Sequence, residues 1–295
     1  MSGGFDLDNR LARASFERAA NTYDKSAVLQ REVGTRVTAR MDLVRITPHR
    51  ILDVGSGTGH GTQLLARRYP GAQVLALDIA PAMLARARQR FSWWSRWRGR
   101  CGFVCGDAEA LPIADASVDL IFSNLTLQWC TDLEGTFREF RRVLAPGGLL
   151  MFTTFGPDTL KELRAAWEVA NGQVHVHEFA DMHDIGDALL SARFADPVMD
   201  MEYFELTYRD VRALMQDLKQ LGAHNAGVAR VRTLTGKNRL RAMSNAYEHH
   251  RRDGVIPATG EVVYGHAWMP EQSAAMSERG AVPISLEQLH AGNQE

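Results

Sequence analysis

Apolar positions along the 295-residue chain change period several times. From about residue 9 to 46 they recur at helical spacing: Leu11, Phe16, Ala19 and Ala20, then Val33, Val37, Met41 and Val44. Pro48 ends that stretch. A short apolar run, Ile51 to Val54, leads into Gly55-Ser56-Gly57-Thr58-Gly59, and residues 60–68 return to a helical pattern that stops near Pro70 and Gly71. The alternation then repeats. Val74–Leu77 reads as a strand ending in Asp78, and Pro81 opens a helix that Met83–Arg90 continues. Phe103–Cys105 reads as a strand before Gly106-Asp107, and Val118–Phe122 as one before Ser123-Asn124. Leu133–Leu144 is a helix stopped by Pro146-Gly147-Gly148, and Leu149–Phe155 is a strand.

Strands this short and this apolar are buried on both faces. Alternating with helices over about 100 residues, they predict a Rossmann-like α/β fold with a mostly parallel sheet. Beyond Asp158 a helix runs to about Ala170, followed by a loop with His175, His177 and His183 and a short helix near Ile185–Ser191. Val198–Leu206 and Val262–Trp268 read as a sixth and a seventh strand, with a helical insert over about 209–252 between them. The tail from Pro270 has no sustained periodicity and is expected to be mobile.

Composition narrows the picture. A net charge of −1 excludes a generally basic nucleic-acid binder, though not a local basic patch. Cys101, Cys105 and Cys130 suit neither a disulfide framework nor zinc spacing, so they are expected as reduced thiols in a cytoplasmic protein with no metal. The first residues lack the apolar core of a signal peptide, and no run of 18 apolar residues predicts a membrane span.

The candidate chemistry sits at the carboxyl ends of the strands, where open α/β sheets bind ligands. Gly55, Gly57 and Gly59 let backbone approach a ligand closely. Asp53 at the strand end would repel a pyrophosphate but suits the cationic amino-acid end of S-adenosylmethionine. Asp78, ending the next strand, can accept hydrogen bonds from both ribose hydroxyls. The loop is G-S-G-T-G rather than G-x-G-x-x-G, which favours S-adenosylmethionine over a dinucleotide. Asp107, with the Ala108 backbone beside it, is placed for the adenine amino group. Ile79 and Met83 are placed for the adenine faces, and Ser123 and Asn124 for the methionine portion. Each acid taken alone could equally be a helix cap or a solvated loop charge.

Together the segments DVGSGTG (53–59), ALD (76–78), GDAEALP (106–112) and RVLAPGG (142–148) resemble the class I methyltransferase family over about residues 30–155. That resemblance implies a Rossmann-like seven-stranded sheet and S-adenosylmethionine as cofactor, with S-adenosylhomocysteine as product. Further segments are FERAANTYD (16–24), SNLTLQW (123–129), FTTF (152–155), LKEL (160–163) and LKQLGAH (218–224). They look like the malonyl-acyl-carrier-protein methyltransferases of biotin synthesis (the BioC family), from residue 16 to about 268. The departure is FSWWSRWRGR (91–100), which looks like an insertion and leaves the cofactor motifs untouched.

The resemblance implies methyl transfer to the free carboxylate of malonyl-acyl carrier protein, or of malonyl-coenzyme A. A carboxylate is already ionised at neutral pH, so no general base is expected, and catalysis rests on alignment and exclusion of water. Tyr23 is read either as a lid residue over the cofactor or as a helix-packing tyrosine. Gln128 and Trp129 are candidates for lining and positioning at the acceptor pocket, although Trp129 equally suits the core. Lys161, Arg209, Arg212 and Lys219 are candidate acceptor contacts, and Lys161 is as readily a surface lysine. His224 is read as structural.

Residues 209–252 hold ten basic and three acidic residues, a balance of +7 that leaves −8 for the rest. A basic cap suits an acidic carrier protein, with nucleic acid and plain solvated helix faces as the alternatives. In residues 91–100, Trp93, Trp94 and Trp97 alternate with Arg96, Arg98 and Arg100. Such a stretch could touch a membrane interface or partner, but more ordinarily packs its rings on neighbouring helices. The expected organisation is a helical lid (1–48), a cofactor-binding core (49–206), an acceptor cap (207–258), a last strand (259–270) and a tail (271–295). A monomer without stable membrane association or nucleic-acid binding is expected. Competing functions are methylation of another small acceptor, such as a quinone-ring carbon or trans-aconitate, and a non-catalytic S-adenosylmethionine-binding module.

Overall fold

The computed structural model describes residues 9–171, 176, 178–223 and 236–271. The expectations for His175, His177, His224 and the tail beyond Glu271 fall outside them. Three helices open the fold: α1 (Asn9–Ala19), α2 (Tyr23–Ser26) and α3 (Val28–Arg40). The alternating core follows as β1 (Arg50–Val54), α4 (His60–Arg68), β2 (Gln73–Asp78), α5 (Pro81–Gln89), α6 (Trp93–Trp97), β3 (Cys101–Cys105), β4 (Val118–Asn124), α7 (Leu133–Val143) and β5 (Leu144–Phe155). The last part holds α8 (Lys161–Asn171), α9 (Met182–Ser191), β6 (Ala195–Tyr208), α10 (Val211–Gln220), α11 (Lys237–Glu248) and β7 (Ile256–Trp268).

The strands form one seven-stranded sheet in the order β3-β2-β1-β4-β5-β7-β6. The pairs among β1 to β5 are parallel, while β7 runs antiparallel to both β5 and β6. The strand order reverses between β1 and β4, which opens a crevice at their carboxyl ends.

Alternate residues of β1 feed two cores, because successive side chains point to opposite faces of a strand. Leu52 and Val54 join Phe137, Phe140 and Val143 of α7 and Ile185 and Leu189 of α9. Ile51 joins Val33, Val37 and Met41 of the N-terminal helices and Leu65 of α4. Both faces being covered explains why these strands read as continuous apolar runs. A third core lies under the insert, where Leu163 and Trp167 of α8 meet Leu214 of α10 and Met243 and Tyr247 of α11. The buried Tyr247 hydroxyl donates to the Pro257 carbonyl at 2.8 Å, fixing α11 to the start of β7.

Three features differ from the sequence pattern. The seventh strand begins at Ile256, six residues before Val262, and pairs with β6 from Ile256↔Tyr208 onward. Pro257 and Gly260 interrupt the apolar pattern there, so the pairing comes from the partner strand rather than from local propensity. The N-terminal stretch breaks twice, at residues 20–22 and at Ala27. The third difference lies in residues 91–100. The rings of Trp93, Trp94 and Trp97 do not pack on neighbouring helices but on one another, at 4.7–6.0 Å between centroids, and remain exposed. The five-residue helix lies against β3, the outer strand of the sheet, and is too short to seat all three rings on a neighbour.

Phe137 is fully buried against the rings of Phe140, Phe152 and Phe194. Phe137→Ala is expected to lower stability by about 3–5 kcal/mol, measured by denaturant unfolding, because the surrounding rings cannot collapse into the space.

Candidate active site

The crevice at the carboxyl ends of β1, β2, β3 and β4 is a cleft roofed by the N-terminal helices. The loop after β1 makes its floor. Gly55 (φ +70°) and Gly57 (φ +54°) both take the left-handed conformation that glycine adopts without strain. A Cβ at Gly55 would collide with the Thr126 side chain, whereas a Cβ at Gly57 would meet nothing nearer than Tyr23 at 3.9 Å. Gly57 is therefore where backbone lies open to a ligand. Gly59 (φ +86°) lines neither chamber of the cleft: its Cβ would strike Ala87 of α5, so this glycine permits close packing of the loop on that helix.

Asp78 is buried, and its two oxygens accept the backbone N–H groups of Gly57 and Ala80, each at 2.8 Å. Asp53 is buried below the loop and accepts the Thr62 hydroxyl at 2.5 Å. Burial pushes the Asp53 carboxyl up to about 7 and the Asp78 carboxyl up to about 6, against the pull of these hydrogen bonds. Two desolvated carboxylates that form no ion pair among the described residues mark a place that a cationic or hydroxyl-bearing ligand would relieve.

Asp53 lines a smaller chamber continuous with the loop. In the same chamber Gln30 Oε1, Ser56 Oγ and His60 Nε2 are buried without a hydrogen-bond partner. Buried polar atoms are nearly always paired in folded proteins. The Asp53 carboxylate and Gln30 Oε1 can accept from an ammonium group, and the Ser56 hydroxyl and a protonated His60 Nε2 can donate to a carboxylate, so the cluster fits the amino-acid end of S-adenosylmethionine. At the other end of the cleft, Ile79, Met83 and Ala108 give apolar walls. Asp107 accepts the Glu109 N–H at 3.0 Å and faces Asn9 Nδ2 at 3.4 Å. Glu109 accepts from Asn9, Thr131 and Asp132, tying the loop after β3 to the loop after β4. Asn124 lines both chambers, but its amide is committed: it donates to the Gln30 carbonyl and accepts from Thr153.

Tyr23 lies inside the cleft, packed with Phe16, Ile79 and Met83. Burial, with Asp78 and Asp24 nearby, raises its phenol above the ordinary range, so it stays neutral. The next residue ties the N-terminal helices to the glycine loop: Asp24 accepts the Thr58 hydroxyl at 2.5 Å and pairs with Arg90 at 2.8 Å.

A second cavity of about 850 Å³ opens beside the cleft. Gln128 and Trp129 line both spaces and form the passage between them. Gln128 donates to the Leu125 carbonyl at 2.6 Å and accepts from Thr154 at 3.3 Å; Trp129 stands edge-on to Phe16 at 5.1 Å. The walls are largely apolar, with Leu163 and Trp167 of α8 and Leu214 of α10. Arg212 and Lys219 reach its exposed rim from one face of α10, being seven residues apart.

Lys161 and Arg209, expected at the acceptor, do not line this cavity. Lys161 pairs with Asp158 at 2.9 Å on the surface beside Tyr203, and Arg209 points to solvent beside Asp210. Both lie on element ends whose inward positions are taken by apolar residues. Gln30 and His60 were missed by the sequence reading. Gln30 sits in a helix whose pattern marks core, and His60 starts a helix, so no local signal pointed to either.

A family model described as a methyltransferase domain matches residues 52–152. The YcgJ protein of Bacillus subtilis is similar in structure, with TM-score 0.54 at 15% identity over 81% of this chain and 100% of that one. Fold and site together define a class I methyltransferase. Two curated relatives are named malonyl-acyl-carrier protein O-methyltransferase. One, from Gallionella capsiferriformans, is 54% identical over 90% of this chain and 92% of its own. The other, from a Methylovorus species, is 52% identical over 95% of each chain. The chain belongs to the malonyl-acyl-carrier protein O-methyltransferase family.

The raised carboxyls set a pH dependence. Between an unfolded value near 4 and the folded values of about 6 and 7, the folded protein holds protons that the unfolded chain does not. The contribution of these groups therefore favours folding below that window and is lost as pH rises through it. Asp53→Asn, free of ligand, is expected to melt higher than the parent above pH ~7 and to match it only below pH ~4. Thermal melts across this range check it; equal differences at both pH values would refute the burial argument.

Proposed function

We propose that the chain transfers the methyl group of S-adenosylmethionine to the free carboxylate of malonyl-acyl carrier protein, giving its methyl ester at an early step of biotin synthesis. One observation carries the reading. A cleft lined by desolvated carboxylates joins, through Gln128 and Trp129, an apolar cavity with two cations on its rim. The names of the relatives support the acceptor.

When bound, S-adenosylmethionine supplies an electrophilic methyl group on a sulfonium that carries its own leaving group. Asp53, with Gln30, Ser56 and His60, holds the amino-acid end, and Asp78 accepts from the ribose hydroxyls. Gly55 and Gly57 allow the close backbone approach. Asp107 and the Ala108 backbone serve the adenine edge, with Ile79 and Met83 on its faces and Asn124 fixing the adjoining wall. Tyr23 closes the lid and, held neutral by burial, excludes water without competing as a nucleophile. Gln128 and Trp129 position the acceptor, whose carboxylate is already ionised and needs no base. Its alignment with the methyl group supplies most of the advantage.

Residues 1–48 act as the lid, 49–206 with the last strand at 259–270 as the cofactor-binding core, and 207–258 as the acceptor cap. The basic cap steers an acidic carrier protein. All these residues come from one chain, which suits a monomer, and three free thiols suit the cytoplasm.

The decisive experiment incubates labelled S-adenosylmethionine with malonyl-carrier and acetyl-carrier and weighs the carrier. A gain of one methyl group on the malonyl form only is expected. Methylation of neither, with the cofactor still bound, would leave the small-acceptor and binding-module readings. Arg212→Ala with Lys219→Ala is expected to raise KM for the carrier about tenfold at low salt, with kcat nearly unchanged, and the difference is expected to shrink in high salt.

A further inference from the structure

The segment from Ile79 to Gly106 contains six arginines and no acidic residue. The whole chain has a net charge of −1, so this is a local excess. Trp93, Trp94 and Trp97 within it are 58%, 59% and 67% exposed. Their rings are held by one another: Trp93 and Trp97 stack with planes 15° apart, and Trp94 stands edge-on to both. Arg88 lies over the Phe103 ring on the same side, and Arg98 and Arg100 are exposed beside the helix. Among the described residues these three arginines enter no ion pair. Shallow recesses run between Arg88, the rings and β3, the outer strand of the sheet.

We propose that this patch binds an anionic lipid surface, reversibly and in the plane of the headgroups. Indole rings favour the headgroup level of a bilayer, and guanidinium groups pair with lipid phosphates. An interfacial helix combines such a cationic face with aromatic anchors. No described helix is long and apolar enough to cross a membrane, so the contact is peripheral. A second copy of this chain is a poor occupant. A two-fold contact would set one arginine cluster against the other.

Nor does the patch serve delivery of the acceptor. α6 leads into the first residue of β3, and Arg100 accepts from Val74 near the start of β2. The patch therefore lies toward the amino ends of the parallel strands, whereas the cleft opens at their carboxyl ends. A protein bound through the patch keeps its cleft clear of the bilayer.

The test uses the full-length protein and sedimented vesicles, one set of phosphatidylcholine alone and one with about one-third phosphatidylglycerol. At low salt, binding to the anionic vesicles only is expected, with release at about 0.5 M salt. A blue shift of tryptophan emission accompanies binding. The variants Trp93→Ser/Trp94→Ser/Trp97→Ser and Arg88→Gln/Arg98→Gln/Arg100→Gln are each expected to lose at least tenfold in vesicle affinity. Their melting temperatures and methyl transfer remain close to those of the parent, since these side chains touch neither cavity. Absence of binding to anionic vesicles at low salt overturns the proposal. So does binding that survives the tryptophan variant. Binding of acidic carrier protein that is lost in these variants, with no vesicle binding, assigns the patch to a protein partner and overturns it as well.

Discussion

One buried carboxylate ties together the parts that make the cofactor cleft. Asp78 ends β2 and accepts from Gly57 in the loop after β1 and from Ala80 at the start of α5. Three separate elements thus meet on two oxygens, in a place where desolvation makes each bond costly to lose. The loop after β1 also donates to β2 through Gly55 and Ser56, which both bond the Leu77 carbonyl. With the loop held this way, Gly57 faces the cleft and Asp53 is left below it. The same burial that makes Asp78 an anchor lifts its proton affinity.

The α/β core was legible because its signals are local. Asp53, Asp78 and Asp107 are marked as lying at or near strand ends by the apolar runs that precede them, and the parallel pairing of β1 to β5 follows from alternating strands and helices. The first six residues of β7 were not legible, since only pairing with β6 makes Pro257 and Gly260 strand residues. The same limit applies to the site. Asp78 could be placed from strand position alone, whereas Gln30 enters the cleft because the first turn of α3 meets the end of β4, where its carbonyl accepts from Asn124. Lys161 and Arg209 carry suitable charges on outward positions, which spacing within one element does not reveal.

The N-terminal helices and α10 are not independent covers of the two cavities. Thr22 and Ser26, on either side of Tyr23, donate to the backbone and side chain of Gln220 at 3.1 and 2.8 Å. Gln220 is the last residue of α10, the helix that brings Arg212 and Lys219 to the cavity rim. Gly222 packs against Ala19 and Phe16 immediately beyond. Movement of the N-terminal helices away from the cleft would have to break these bonds or carry α10 along. The roof of one cavity and the wall of the other are thereby joined, next to the passage formed by Gln128 and Trp129.

Net charge conceals how this molecule uses its ionisable groups. Acids occupy the buried strand ends, where the low dielectric gives each one a large effect on a bound cation. Basic residues gather in two stretches of the chain, 209–252 and the segment before β3, where long-range attraction acts through solvent. A balance of −1 is the sum of these opposed regions rather than evidence of a neutral surface. Buried charge positions a small ligand at short range. Exposed charge of the other sign attracts anions over a longer range, and the two basic places lie apart on the sheet, one beside β6 and β7 and one before β3.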